Sequence, residues 1–173
     1  MNITEFQKIS FQQFQKDAMQ NGFIQDVEEA YAQIHLPKRA TSGSAGYDFY
    51  LPFDLDLSPG ESRIIPTGIR CKMNETLVLQ IYPRSSLGFK YRLQLDNTVG
   101  IIDSDYYYAL NEGHIMIKVT NCTVEGKSVS LSKQTRFAQG LFLQYFKVKD
   151  DDVKENRTGG IGSTNSNKAS SND

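Results

Sequence analysis

Between Ile34 and about Val148 the chain breaks into short β-rich segments separated by turn residues roughly every ten positions, a spacing that points to an all-β sandwich or barrel. Ser62 to Ile65, Leu77 to Tyr82, His114 to Asn121, Ser128 to Leu131 and Phe137 to Phe146 are the expected strands. Ser58-Pro59-Gly60-Glu61 and Val124-Glu125-Gly126-Lys127 are turns between them. Ile115, Ile117 and Val119 alternate with Met116 and Lys118, as in a strand buried on one face only.

The flanks differ in character. Ser10-Phe11-Gln12-Gln13 has capping-box form, and Phe11, Phe14 and Ala18 follow on one helical face that Asn21-Gly22 ends. Asp26-Val27-Glu28-Glu29 repeats the pattern, and Pro37 limits a second helix to about two turns. Residues 1–33 are therefore expected as a peripheral helical extension, 34–148 as the β domain and 149–173 as a C-terminal arm. That arm is acidic and then rich in Gly, Ser and Asn, too polar to offset its ordering entropy, so it is expected to be mobile when empty.

Lys plus Arg (19) nearly balances Asp plus Glu (20), which excludes a bulk positive field for nucleic acid and leaves anion binding to a few placed cations. The two cysteines, Cys71 and Cys122, lack zinc or redox-motif spacing and read as buried residues of a reducing compartment. No stretch reaches the ~18 apolar residues of a membrane span, and the N-terminus lacks signal-peptide character, so a cytoplasmic location is expected.

Five short stretches carry chemistry. Ser44-Ala45-Gly46-Tyr47-Asp48 sets an acid after a glycine that permits close backbone approach. Tyr82-Pro83-Arg84-Ser85-Ser86-Leu87-Gly88 offers a guanidinium and two hydroxyls at a strand end, suited to an oxyanion, although a solvated loop has the same composition. Gly100-Ile101-Ile102-Asp103-Ser104-Asp105-Tyr106 leads a β-branched pair into two carboxylates that an extended chain would place on one side. Arg136-Phe137-Ala138-Gln139-Gly140 interrupts an apolar strand with a cation and an amide. Arg157-Thr158-Gly159-Gly160-Ile161-Gly162-Ser163-Thr164 supplies a cation, backbone N–H groups and hydroxyls, the parts of a phosphate cradle without the lysine of a Walker A loop.

In that order and at those separations, the five stretches resemble the five motifs of the trimeric dUTP nucleotidohydrolases (dUTPases) of bacterial or phage type, over roughly Pro37 to Thr164. The resemblance implies a jelly-roll-like β barrel of the β-clip type, a homotrimer with active sites shared between subunits, and Mg²⁺-assisted hydrolysis of dUTP to dUMP and pyrophosphate. Such an activity keeps uracil out of DNA and supplies dUMP for dTMP synthesis.

It further implies that Asp103 activates the attacking water, that Asp48 and Gln139 hold Mg²⁺ through water, and that Arg84, Ser85, Ser86 and Gly88 meet the phosphates from a neighbouring subunit. Arg136 adds charge beside the phosphate chain. Asn97, with Gly100 and Ile102, belongs to the uracil-reading hairpin, and Tyr106 lies against the deoxyribose, where it leaves no room for a 2′-hydroxyl. Arg157, Gly159, Gly160, Ile161, Gly162, Ser163 and Thr164 close over the substrate.

There are two departures from the family pattern. Ile161 replaces the usual aromatic, with Arg157 shifted by one position, and residues 107–113 exceed the usual short turn. Asp105 is read as shaping its turn or pairing at a subunit contact. A dCTP deaminase on the same fold, or a nucleotide-sensing regulatory protein with a partner of unknown kind, are the alternatives; neither nucleic acid nor membrane is expected as a partner.

Overall fold

A computed structural model of the chain describes residues 4–153 together with Arg157 and Gly159. The order is β1 (Glu5–Lys8), α1 (Phe11–Gln20), α2 (Val27–Ala32), β2 (Lys38–Arg39), β3 (Tyr47–Tyr50), β4 (Leu55–Leu57), β5 (Ser62–Pro66), β6 (Ile69–Lys72), β7 (Leu77–Pro83), α3 (Ser85–Tyr91), β8 (Leu93–Leu95), β9 (Gly100–Ile102), a 3₁₀ turn (Ser104–Tyr108), β10 (Met116–Asn121), β11 (Val129–Leu131) and β12 (Arg136–Gln144).

The expected jelly-roll-like barrel is not what forms. Among the described residues the strands fall into separate sheets, β1-β6, β5-β10-β8, β11-β4 and β2-β3-β12-β7-β9. None returns to pair its first strand with its last, and the five-stranded sheet ends openly at β2 and β9. The fold is predominantly β, built from open sheets with short helices. Regular turn spacing reports that strands are many and short; closure depends on pairings between strands distant in sequence, which spacing does not encode.

The longest ladder runs between β12 and β7, from Ala138 opposite Pro83 to Gln144 opposite Leu77. Gly140 lies within it, opposite Ile81 on β7 and Tyr47 on β3, so β12, which carries the fourth chemical stretch, ties the first and second together. In β10, Ile117, Val119 and Asn121 are buried and Lys118 is exposed, the half-buried alternation expected from the sequence.

The N-terminal residues are not peripheral. Ser10 caps α1 by accepting from the Gln13 N–H at 3.2 Å, and Phe14, Asp17 and Ala18 form its buried face. Phe14 stacks on Phe53 with ring centres 5.8 Å apart. Phe6 on β1 packs against Tyr47 and Phe142 of the central sheet at 5.5 and 5.6 Å. Ile9, Phe14, Phe49, Ile81, Val119 and Phe137 thus belong to a single apolar core. No helix among the described residues is long and apolar enough to cross a membrane.

Candidate active site

The first half of the site is built on the pairing of β7 with β9, in which Ile81 faces Gly100 and Leu79 faces Ile102. Asn97 sits exposed in the turn before β9, where the Val99 N–H donates to the Asn97 carbonyl at 2.6 Å. At Asp103 the chain leaves the sheet and winds into the 3₁₀ turn, which carries Tyr106 inward. The Tyr106 hydroxyl donates to the His114 carbonyl at 2.8 Å and accepts from Asn111 Nδ2 at 2.9 Å. Burial pushes that hydroxyl above its ordinary pKa, against the opposing hydrogen bond from Asn111 and the nearby charge of Arg157. It therefore remains a neutral donor at physiological pH. Ile81, Asn97, Ile102, Asp103, Tyr106 and Arg157 are among the residues around a cavity of about 360 Å³.

Arg157 closes one side of this cavity. Its Nη2 lies 2.6 Å from Asp103 Oδ2 and its Nε 3.1 Å from Asp105 Oδ1. The guanidinium also sits 5.7 Å from the centre of the Tyr106 ring. Asp105 thus pairs within its own chain, and one fork holds two carboxylates that would otherwise repel each other.

The second half is built on β3, β7 and β12. Asp48 and Gln139 are register partners. Asp48 is 5 % exposed, and its two oxygens face Arg84 Nε at 3.1 Å and Arg136 Nη1 at 3.3 Å. Gln139 Nε2 donates to the Pro83 carbonyl at 3.3 Å. Position 46 must be glycine for this arrangement, since a Cβ there would lie 2.5 Å from Gln139 Oε1. Beyond Arg84 the chain forms the short helix α3, with Ser85 and Ser86 exposed and Gly88 half-buried. Gly46, Asp48, Arg84, Ser85 and Gln139 line a cavity of about 620 Å³. Among the described residues, none lines both cavities.

One carboxylate and one amide do not make an inner coordination sphere, and among the described residues no group of three or more His, Cys, Asp or Glu could hold a metal. The donors at Asp48 and Gln139 do fit a cation that keeps its own waters, the habit of Mg²⁺. Of the expected arm residues, Gly159 is half-buried, while Gly160, Ile161, Gly162, Ser163 and Thr164 lie outside the described residues, as does most of the arm expected to be mobile.

Residues 32–165 match the dUTPase family model. The chain belongs to the dUTPase family. As a dUTPase it is an enzyme that converts dUTP to dUMP and pyrophosphate. It is 43 % identical over 136 residues to the deoxyuridine 5′-triphosphate nucleotidohydrolase of Lactococcus lactis subsp. lactis (strain IL1403), an alignment covering 77 % of this chain and 89 % of that protein. Against the enzyme of Shigella sonnei (strain Ss046) the identity is 37 % over 138 residues, covering 75 % and 87 %. The crystal structure of dUTPase from Streptococcus mutans superposes with a TM-score of 0.60 at 38 % identity, covering 65 % of this chain and 88 % of that one. The dUTPase from phage phi11 of S. aureus, at 18 % identity, shares the fold with a TM-score of 0.63 over 89 % of this chain and 97 % of that one.

Sequence reading missed Asn111 and His114, which hydrogen-bond the Tyr106 hydroxyl, and Asp17, which bonds the His114 ring. One signal was available for Asp17: it lies on the same face of α1 as Phe14 and Ala18, where an unpaired acid would be costly. His114, a lone histidine at the start of an apolar strand, carried no comparable mark.

Proposed function

We propose that this dUTPase works as a homotrimer whose active site joins the Asp103–Tyr106 cavity of one chain to the Asp48–Arg84–Gln139 cavity of a neighbour. What supports this reading is that the two sets of residues line separate cavities on a single chain, although hydrolysis needs base, sugar and phosphate contacts around one substrate.

In the proposed reaction, water held by Asp103 attacks the α-phosphorus in line with the bond to the β-phosphate oxygen. The water proton passes to the Asp103 carboxylate, the new P–O bond gives dUMP, and the broken one releases pyrophosphate with the bonding pair. Carboxylates are weak bases, so positioning supplies most of the effect. Asp103 Oδ2 is engaged by Arg157 in the free chain, so the guanidinium must transfer to the phosphates as substrate enters.

Arg84, Ser85 and Ser86 receive the triphosphate, with Gly88 allowing close approach and Arg136 adding charge. Asp48 and Gln139 would hold the water shell of a Mg²⁺ ion, which would supply positive charge to the triphosphate. Asn97, Gly100 and Ile102 contact uracil, and Tyr106 excludes a 2′-hydroxyl. Gly159, Gly160, Ile161, Gly162, Ser163 and Thr164 cover the phosphates. The reaction removes dUTP from the DNA precursor pool, and its product dUMP serves dTMP synthesis.

Complementation tests the shared site. Asp103→Asn and Arg84→Ala are each expected to be nearly inactive, and refolding them together should regain activity through mixed trimers that contain intact sites. Absence of any regain in verified mixed trimers would place the whole site on one chain.

A further inference from the structure

The N-terminal helix reaches the proposed sugar-facing tyrosine through a buried chain of hydrogen bonds. Asp17 Oδ2 lies 2.6 Å from His114 Nδ1, and both residues are buried. His114 Nε2 accepts from the Gly68 N–H at 2.8 Å, which leaves Nδ1 as the protonated nitrogen that donates to Asp17. The carbonyl of the same His114 accepts from the Tyr106 hydroxyl.

Two further contacts fasten this loop to the extension. Ser10 donates its N–H and hydroxyl to Glu112 at 2.8 and 2.6 Å, and the Tyr107 hydroxyl donates to Gln7 at 2.8 Å. Directly after Glu112, Gly113 adopts φ +70°, and a Cβ there would lie 2.7 Å from the Tyr106 carbonyl oxygen. Tyr107, Glu112 and His114 thus fasten residues 107–114 to β1 and α1 on one side, while the His114 carbonyl and Asn111 hold Tyr106 on the other.

We infer that Asp17 and His114 are positioning residues for sugar discrimination, fixing the depth of the Tyr106 ring in the nucleoside cavity. The inference rests on the reading of Tyr106 as the group that excludes a 2′-hydroxyl. Rejecting one extra oxygen by contact requires the ring to stay within a fraction of an ångström of its place, and a buried acceptor does this better than solvent. The added N-terminal segment and the lengthened 107–113 loop thus form one device. Asn111 belongs to it, donating to the Tyr106 hydroxyl.

The test compares kcat/KM for dUTP and UTP in the full-length enzyme. Asp17→Ala should narrow the preference for dUTP about tenfold, and Asp17→Asn, which keeps an oxygen acceptor for His114, should restore most of it. Should Asp17→Ala fail to fold, Asn111→Ala is expected to give the same narrowing. Tyr31→Phe serves as the stability control: it deletes a hydrogen bond to the Ile9 carbonyl within the extension and should leave the ratio unchanged.

In a Tyr106→Ala background, Asp17→Ala should have no further effect. If Tyr106→Ala narrows the preference while Asp17→Ala and Asn111→Ala do not, the positioning role is overturned and the role of Tyr106 stands. If Tyr106→Ala leaves the ratio unchanged, both fall.

Discussion

The guanidinium of Arg157 and the carboxylate of Asp103 meet at 2.6 Å, so an arginine of the C-terminal arm rests on the acid proposed to activate water. The same fork reaches Asp105 at 3.1 Å. Substrate phosphates offer Arg157 a stronger anionic partner, and its transfer would uncover Asp103 as the site fills. Arg157→Gln is expected to lower kcat/KM for dUTP about tenfold, roughly the loss of one charge-assisted contact. Steady-state kinetics decides this, and an unchanged kcat/KM would contradict the exchange.

A chain ending at Asp152 removes Arg157 and the glycine-rich stretch. The core residues all precede β12's end at Gln144, so this shortened chain should melt at nearly the wild-type temperature. Its turnover should fall by about tenfold or more, because closure over the phosphates is lost. Normal turnover would remove the arm from the mechanism.

Gly46 separates fold from function at the phosphate side. A Cβ at this position meets Gln139 Oε1 at 2.5 Å, and the end of a flexible side chain can rotate away. Gly46→Ala should therefore change stability by less than about 1 kcal/mol. Turnover should fall about tenfold, since a displaced Gln139 no longer holds water beside the phosphates. Equal turnover in the variant would show that Gln139 has no positioning role.

Acid should loosen the N-terminal segment. Burial raises the Asp17 carboxyl, but hydrogen bonds from His114 and Gln13 outweigh it and leave the group below its ordinary pKa. Glu112 shows the same balance, with burial offset by the Ser10 hydroxyl and N–H. A carboxylate depressed in the folded state stabilises fully above the unfolded carboxylate range, about pH 4, and this contribution disappears as pH falls through the folded value. Melting temperatures followed downward from pH 7 should drop below about pH 4, and Glu112→Gln should show a shallower acid limb. Identical limbs would show that Glu112 is not coupled to folding.

Much of this fold is legible in the sequence wherever local patterning decides. The Ser10 cap, the alternation of Ile117 and Val119, and the strand entering Pro83 all have short-range causes. β1 escaped notice because Glu5–Lys8 is mostly polar and becomes a strand only by pairing with β6. The short helix α3 was hidden by the glycine within it. Open sheets in place of a closed barrel follow from pairings between distant strands, such as β1 with β6 and β3 with β12.

The motif residues were found through the family resemblance, but their partners were not. Asp17 and His114 are 97 residues apart, and nothing local to either announces the other. The fork of Arg157 across Asp103 and Asp105 likewise depends on where the chain returns after β12.

Asp103→Asn tests the central assignment most directly, because it preserves shape while removing the group that takes the proton. Single-turnover hydrolysis of dUTP, measured beside equilibrium binding of a non-hydrolysable dUTP analogue, separates chemistry from affinity. The account predicts binding within a few-fold of wild type and a rate lower by about a hundredfold or more. A rate equal to wild type would contradict it.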